Sequence, residues 1–263
     1  MSSAPDEPSR WIRRFHPAPE DAPRMICFPH AGGSASYYFP MSKSLSPQVE
    51  ILAVQYPGRQ DRRSEPLLDS IGGLADGVFE ALRSWSGRPF VFFGHSMGAL
   101  VAYEVARRFQ ERTPTGPRCL FVSGRRAPSL HRPGTVHLRD DPGFVADLVR
   151  LGGTDQRFLQ DQELLELTLP VARSDYKAVE TYSHVSGPPL ECPITAFVGD
   201  RDPEASVEDV KAWSEHTAGG LDLQVFPGGH FYLDACRAEV AGAVVEALNG
   251  QAPAVSVEGS AGR

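Results

Sequence analysis

Cysteine is scarce in this chain, with four in 263 residues. Cys27, Cys119, Cys192 and Cys236 are scattered, with no Cys-x-x-Cys spacing and no histidine ligand cluster among them. Such usage offers neither a zinc site nor a disulfide framework, and it suits a reduced, cytoplasmic setting. Cys27 and Cys119 lie in apolar runs, where cysteine packs as a small hydrophobe. Long apolar runs are missing too, so no segment reaches membrane-spanning length. The first residues, Met1 to Pro8, are polar and proline-rich, and without an apolar signal core secretion is not expected. Nor is positive charge in excess. A formal net charge of −7 argues against nucleic acid as a general partner. There is no internal repeat.

Apolar residues, by contrast, make up 41% of the chain, enough for one substantial core. Residues 25–28, 51–54, 89–93, 119–124 and 193–199 are short apolar runs that read as buried strands. Helical stretches such as 71–85 alternate with them. The alternation predicts a mostly parallel, doubly wound α/β sheet. The expected organisation is a flexible N-terminus (1–10), a single α/β domain (11–249) and a small-residue, polar, disordered tail (250–263). The segment 136–182 breaks the alternation and reads as consecutive helices, clearest at 144–149 and 163–167. Helices inserted there could form a lid that lines a pocket and excludes water, or could be a plain decoration.

Gly94-His95-Ser96-Met97-Gly98 stands between the strand at 89–93 and a stretch of helix formers at 99–108. Strand, sharp turn and helix make a nucleophile elbow, with a strained serine and glycines that let strand and helix pack closely. Ser96 then sits at the positive end of a helix, where a developing oxyanion is favoured. A serine needs a base. Of the eight histidines, His230 follows a strand end and a Gly228-Gly229 loop that is free to fold toward the elbow. His95 is expected to point into the elbow's packing, while His16, His131, His137, His184 and His216 read as surface or loop residues. The base needs a carboxylate to orient it. Asp202, in the loop after the strand at 193–199, is favoured, and Asp200 remains a competitor that could instead fix the turn through backbone bonds. The order Ser, Asp, His along the chain is the one α/β-hydrolases use. Oxyanion donors are expected from the N–H groups of Met97 and of Ala31, in the glycine-rich loop after the strand at 25–28. That loop is not a phosphate loop, because no Gly-Lys-Ser/Thr follows.

With these segments together, the chain resembles the type II thioesterases, stand-alone α/β-hydrolases that accompany modular polyketide and nonribosomal peptide synthases. The resemblance runs from about Met25 to about Asp234. It is carried by Phe28-Pro29-His30-Ala31-Gly32-Gly33, by Gln55-Tyr56-Pro57-Gly58-Arg59 with Arg62 and Glu65-Pro66, and by Gly94-His95-Ser96-Met97-Gly98-Ala99. Leu169-Pro170 with Arg173, Asp175 and Tyr176, and Gly228-Gly229-His230-Phe231, complete the ordered set. No catalytic position departs from the pattern. The resemblance implies an α/β-hydrolase fold with a lid and hydrolysis of acyl thioesters from the phosphopantetheine arm of an acyl or peptidyl carrier protein. It further implies that the enzyme clears stalled or misprimed groups from a synthase. No cofactor, metal or membrane is expected, and the expected state is a monomer. The same constellation would serve a general esterase, a lipase or an acyltransferase, and hydrolase scaffolds also occur as non-catalytic binders. Three basic clusters read either as solvated faces or as a docking rim for an acidic carrier. They are Arg59, Arg62 and Arg63; Arg107 and Arg108; and Arg125, Arg126 and Arg132.

Overall fold

The computed structural model describes residues 10–84, 88–130, 132–152 and 161–250. Trp85, His131, most of the expected flexible N-terminus and all of the expected tail except Gly250 lie outside the described residues. Seven strands run in chain order: β1 (Ile12–Arg14), β2 (Arg24–Phe28), β3 (Glu50–Val54), β4 (Phe90–His95), β5 (Leu120–Ser123), β6 (Ile194–Gly199) and β7 (Leu221–Phe226). They form one sheet in the order β1-β3-β2-β4-β5-β6-β7. Only β1 is antiparallel to its neighbour; the other pairs are parallel. The helices are α1 (Phe39–Leu45), α2 (Ile71–Leu82), α3 (Met97–Arg112), α4 (Asp141–Leu151), α5 (Gln162–Glu180), α6 (Val207–Lys211), α7 (Tyr232–Ala235) and α8 (Arg237–Gly250).

Central strands read as unbroken apolar runs because both faces of the sheet are covered. Side chains alternate across the sheet, and the two faces sort accordingly. Ile26, Phe28, Leu52, Val54 and Phe92 pack in one core with α2 and α3. Met25, Cys27, Ile51, Ala53 and Phe93 pack in the other with α1 and α8. Burying one such Phe or Ile is worth about 1.5–3 kcal/mol. All four cysteines are free.

The chain leaves β2 toward β3 on one side and returns to β4 on the other. Strand order therefore reverses between β2 and β4, and a crevice opens at their carboxyl ends. The loop after β2 and the elbow after β4 meet there. They approach so closely that a Cβ on Gly98 would lie 1.9 Å from the Phe28 carbonyl oxygen.

The segment between β5 and β6 holds α4 and α5, as its helical pattern predicts. Asp140 caps α4 by accepting the Gly143 N–H, and Gly152 ends it with φ 85°, a left-handed cap that glycine adopts without strain. Asp161 caps α5, which runs for 19 residues through an internal Pro170. Its buried residues, Val171, Ala172, Asp175 and Ala178, all follow that proline. Among the described residues, no helix is long and apolar enough to cross a membrane.

Candidate active site

Ser96 has φ 55° and ψ −116°, a conformation costing on the order of 1–3 kcal/mol that persists only where its surroundings impose it. Its N–H donates to the Ser123 carbonyl at 2.8 Å, and its carbonyl accepts from Ala99 N–H at 3.0 Å. These bonds tie the elbow to β5 and to the first turn of α3. The Ser96 hydroxyl lies 2.9 Å from His230 Nε2. His230 Nδ1 lies 2.9 and 3.0 Å from the two oxygens of Asp202. With the ring proton on Nδ1 and donated to the carboxylate, Nε2 is left to accept from the serine.

The loop after β7 delivers the histidine. Gly228 adopts φ 138°, a conformation that side chains rarely tolerate, and the loop then folds back so that His230 is 3% exposed. Both aspartates follow β6, but they face different partners. Asp202 is buried against His230 and also accepts the Glu204 N–H at 2.8 Å. Asp200 is exposed and accepts the Gly228 N–H at 2.7 Å, a bond that holds its carboxyl below the usual range. One aspartate meets the ring and the other pins the loop that carries it.

The other expected donors lie at the start of α3 and in the loop after β2. Met97 opens α3, so its N–H has no intrahelical acceptor. In the loop after β2, Gly33 N–H donates to the His30 carbonyl at 2.9 Å and Gly32 N–H to Asp175 at 2.7 Å. Those two amides are engaged within the fold. His95 packs against His230 with ring centroids 5.1 Å apart, and His30 packs against His95 at 6.0 Å. Burial first, then the charges of His230 and Arg59, bring His30 down to about 3. Burial also holds His95 well below its usual value, while its Nδ1 bonds the Ser123 hydroxyl at 2.9 Å. His95 is thus in the elbow's packing. His216 corrects the expectation of a surface residue. It is buried, with Nδ1 3.1 Å from the Tyr103 hydroxyl and Nε2 3.0 Å from the Ser129 hydroxyl.

A cavity of about 590 Å³ opens above Ser96 and His230, walled by Leu148 and Leu151 of α4 and Leu165, Leu169 and Tyr176 of α5. Among the described residues, no group of three or more His, Cys, Asp or Glu is placed to hold a metal ion. The basic clusters are largely not surface features. Arg59, Arg62 and Arg126 are buried, because each guanidinium finds acceptors inside the fold. Arg59 donates to Gly33 and Pro57 carbonyls and pairs with Asp175. Arg62 meets Glu65 and the Trp11 ring, and Arg126 donates to the Glu204 carbonyl. Arg107 and Arg108 bond Glu104. Only Arg63 and Arg132 of these clusters are exposed. The contact of Asp175 and Arg59 with the Ala31 loop was not foreseen, since the two residues lie 116 positions apart and no local pattern links them.

The thioesterase domain model matches residues 23–251. Thioesterase PikA5 of Streptomyces venezuelae is 56% identical over 226 residues, covering 85% of this chain and 80% of that protein. A probable cadicidin biosynthesis thioesterase of Streptomyces griseus is 48% identical over 93% of this chain and 68% of its own length. Among solved structures, the type II thioesterase BorB from the borrelidin biosynthetic cluster superposes with a TM-score of 0.86 at 48% identity. The match covers 92% of this chain and 99% of that one. RedJ, a thioesterase from the prodiginine pathway of Streptomyces coelicolor, gives 0.82 at 37% identity, covering 94% of this chain and 90% of its own. The serine elbow, the parallel sheet and these likenesses agree, and the chain belongs to the thioesterase domain family, as a thioester hydrolase of the α/β-hydrolase fold allied with the type II thioesterases.

Proposed function

We propose that this enzyme cleaves acyl thioesters from the phosphopantetheine arm of acyl or peptidyl carrier proteins, clearing stalled or misprimed groups from a polyketide or nonribosomal peptide synthase. Ser96 attacks the thioester carbonyl while His230 Nε2 takes its proton, and Asp202 holds the ring in the tautomer that can do so. The oxyanion forms between the N–H groups of Ala31 and Met97. Collapse of the tetrahedral intermediate breaks the C–S bond. A thiol of pKa roughly 8.5 leaves with little help, taking the proton back from His230. Water then attacks the acyl-serine, gives its proton to His230 and frees the acid, and Ser96 is reprotonated.

The observation that carries this reading is the hydrogen-bonded line Ser96–His230–Asp202 opening on a cavity walled by α4 and α5. On the same reading, α4 and α5 act as a lid over the acyl group; residues 153–160 of the expected lid segment lie outside the described residues. A gramicidin S biosynthesis relative and a solved type II thioesterase from the yersiniabactin nonribosomal peptide/polyketide pathway make the carrier-borne thioester the substrate of choice over a free ester.

The test compares kcat/KM for one acyl group on a carrier protein, on coenzyme A and on N-acetylcysteamine, with a free ester of the same acid alongside. Contacts with remote parts of a substrate are expressed in the transition state, so the carrier-bound group should be cleaved fastest. Equal values for carrier and mimic would point to a general esterase, and transfer of the acyl group to an added alcohol or amine in preference to water would point to an acyltransferase.

A further inference from the structure

We infer that Asp175, gripped by Arg59, is a positioning residue for the oxyanion donor. It anchors the peptide that follows the Ala31 N–H, so that helix α5 holds in place the turn carrying that donor. This rests on the roles proposed above for Ser96, Ala31 and Met97. His30 to Gly33 is a tight turn closed by the Gly33 N–H to His30 carbonyl bond of 2.9 Å. Gly32 has φ 75°, the value of the third residue of a type II turn. A type I turn would close the same bond with its central peptide flipped, and glycine enters either state with little steric cost. The turn's own residues therefore do not choose between them.

The choice comes from α5. Asp175 Oδ2 accepts the Gly32 N–H at 2.7 Å. Flipping this peptide would turn the Ala31 carbonyl oxygen onto that carboxylate, replacing a charge-assisted bond with a repulsion between oxygens, and would release from α5 the turn on which the preceding His30–Ala31 peptide presents the Ala31 N–H. Arg59 holds both ends of the arrangement, donating Nε to the Gly33 carbonyl at 2.9 Å and pairing with Asp175. The two side chains are 5% and 1% exposed. Burial pushes the Asp175 carboxyl up, and Arg59 opposes that rise. Ala172, three residues earlier on α5 and so on the same helix face, abuts the turn. A Cβ on Gly32 would meet its Cβ at 3.4 Å.

A merely structural pair would also be buried, and buried pairs say little about stability by themselves. The two roles part in what they move. Loss of a structural tie lowers Tm and raises KM. Loss of positioning lowers kcat and weakens ligands that carry an oxyanion.

The test uses Asp175→Asn and the double variant Arg59→Met/Asp175→Leu, which strands neither charge and keeps the question open if the single variant does not fold. Steady-state kinetics on an N-acetylcysteamine thioester is paired with inhibition by an acyl trifluoromethyl ketone, which forms a tetrahedral alkoxide on the serine, and by the planar methyl ketone. We expect kcat to fall about 10- to 100-fold, KM to stay within about threefold, and trifluoromethyl ketone affinity to fall in step with kcat. Methyl ketone affinity and the acid limb of the kcat/KM profile should not move. Unchanged kcat and unchanged trifluoromethyl ketone affinity in either folded variant would overturn the inference, as would losses confined to Tm and KM. Ser96→Ala is measured in parallel. Turnover surviving there would bring down the nucleophile assignment itself, an outcome read independently of Asp175.

Discussion

The cavity wall that carries Ser96 and Asp202 stands on β4 and β6, in which every residue is buried, whereas the facing wall, α4 and α5, leaves Val149, Leu164 and Leu167 exposed. The sheet wall is held by close packing on both faces, so its side chains have nowhere else to go. The helical wall is tied down by a few polar clamps. Arg173 donates to the His137 and Arg139 carbonyls and pairs with Asp141. Glu180 accepts the Val136 and His137 N–H groups at 2.8 and 2.9 Å. From this contrast, sheet-side substitutions should alter chemical rate, and helix-side ones that do not touch the Ala31 turn should alter affinity and local stability.

The largest expected effect is on the sheet side. Ser96→Ala should lower kcat by about 10⁶-fold with Tm nearly unchanged, as checked by single-turnover kinetics and thermal melting. Near-normal turnover would end the serine mechanism. Next, Asp202→Asn should cost about 10⁴-fold in kcat by upsetting the His230 tautomer, while Asp200→Asn, which loses only a charge on a loop amide, should cost less than about tenfold. The reverse ranking would make Asp200 the orienting acid. On the helical wall, Glu180→Gln should raise KM several-fold, leave kcat within about twofold and lower stability by about 1–2 kcal/mol. A fall in kcat with KM unchanged would erase the distinction between the walls.

The smallest effect concerns pH. Burial, then His184 and Arg107, lower the His216 pKa from 6.5 to about 4, so the unfolded chain takes up this proton more readily than the folded one. The stability contributed by neutral His216 is complete above pH 6.5 and is lost as pH falls toward about 4. Denaturant titrations across that window should show His216→Gln with a slope shallower by about one proton. An unchanged slope would assign the acid sensitivity to other groups.

The parts of the site that were legible in the sequence are those whose chemistry sits on consecutive residues. The elbow around Ser96, the glycine pair before His230 and the acidic turn after β6 each announce a backbone shape beside a reactive group. Helix and strand order followed from apolar runs in the same way. What stayed hidden are pairs made only by folding. Arg59, Arg62 and Arg126 look like surface residues by type, but the hydrogen bonds they donate to acceptors inside the fold take the place of water. His216 was hidden because its partners, Tyr103 and Ser129, lie 113 and 87 positions away.

Pro170 divides the work of α5. Lacking an N–H, it leaves the Glu166 carbonyl without its intrahelical donor. The stretch before it projects Leu164 and Leu167 into solvent, and the stretch after it is the part locked onto Gly32. A rod with one broken link bends there first. On the proposed function, the side of the cavity formed by Leu165 and Leu169 gives way to a bulkier acyl chain while the carbonyl is held in one geometry, a compliance that separates tolerance for the tail from exactness at the bond being cut.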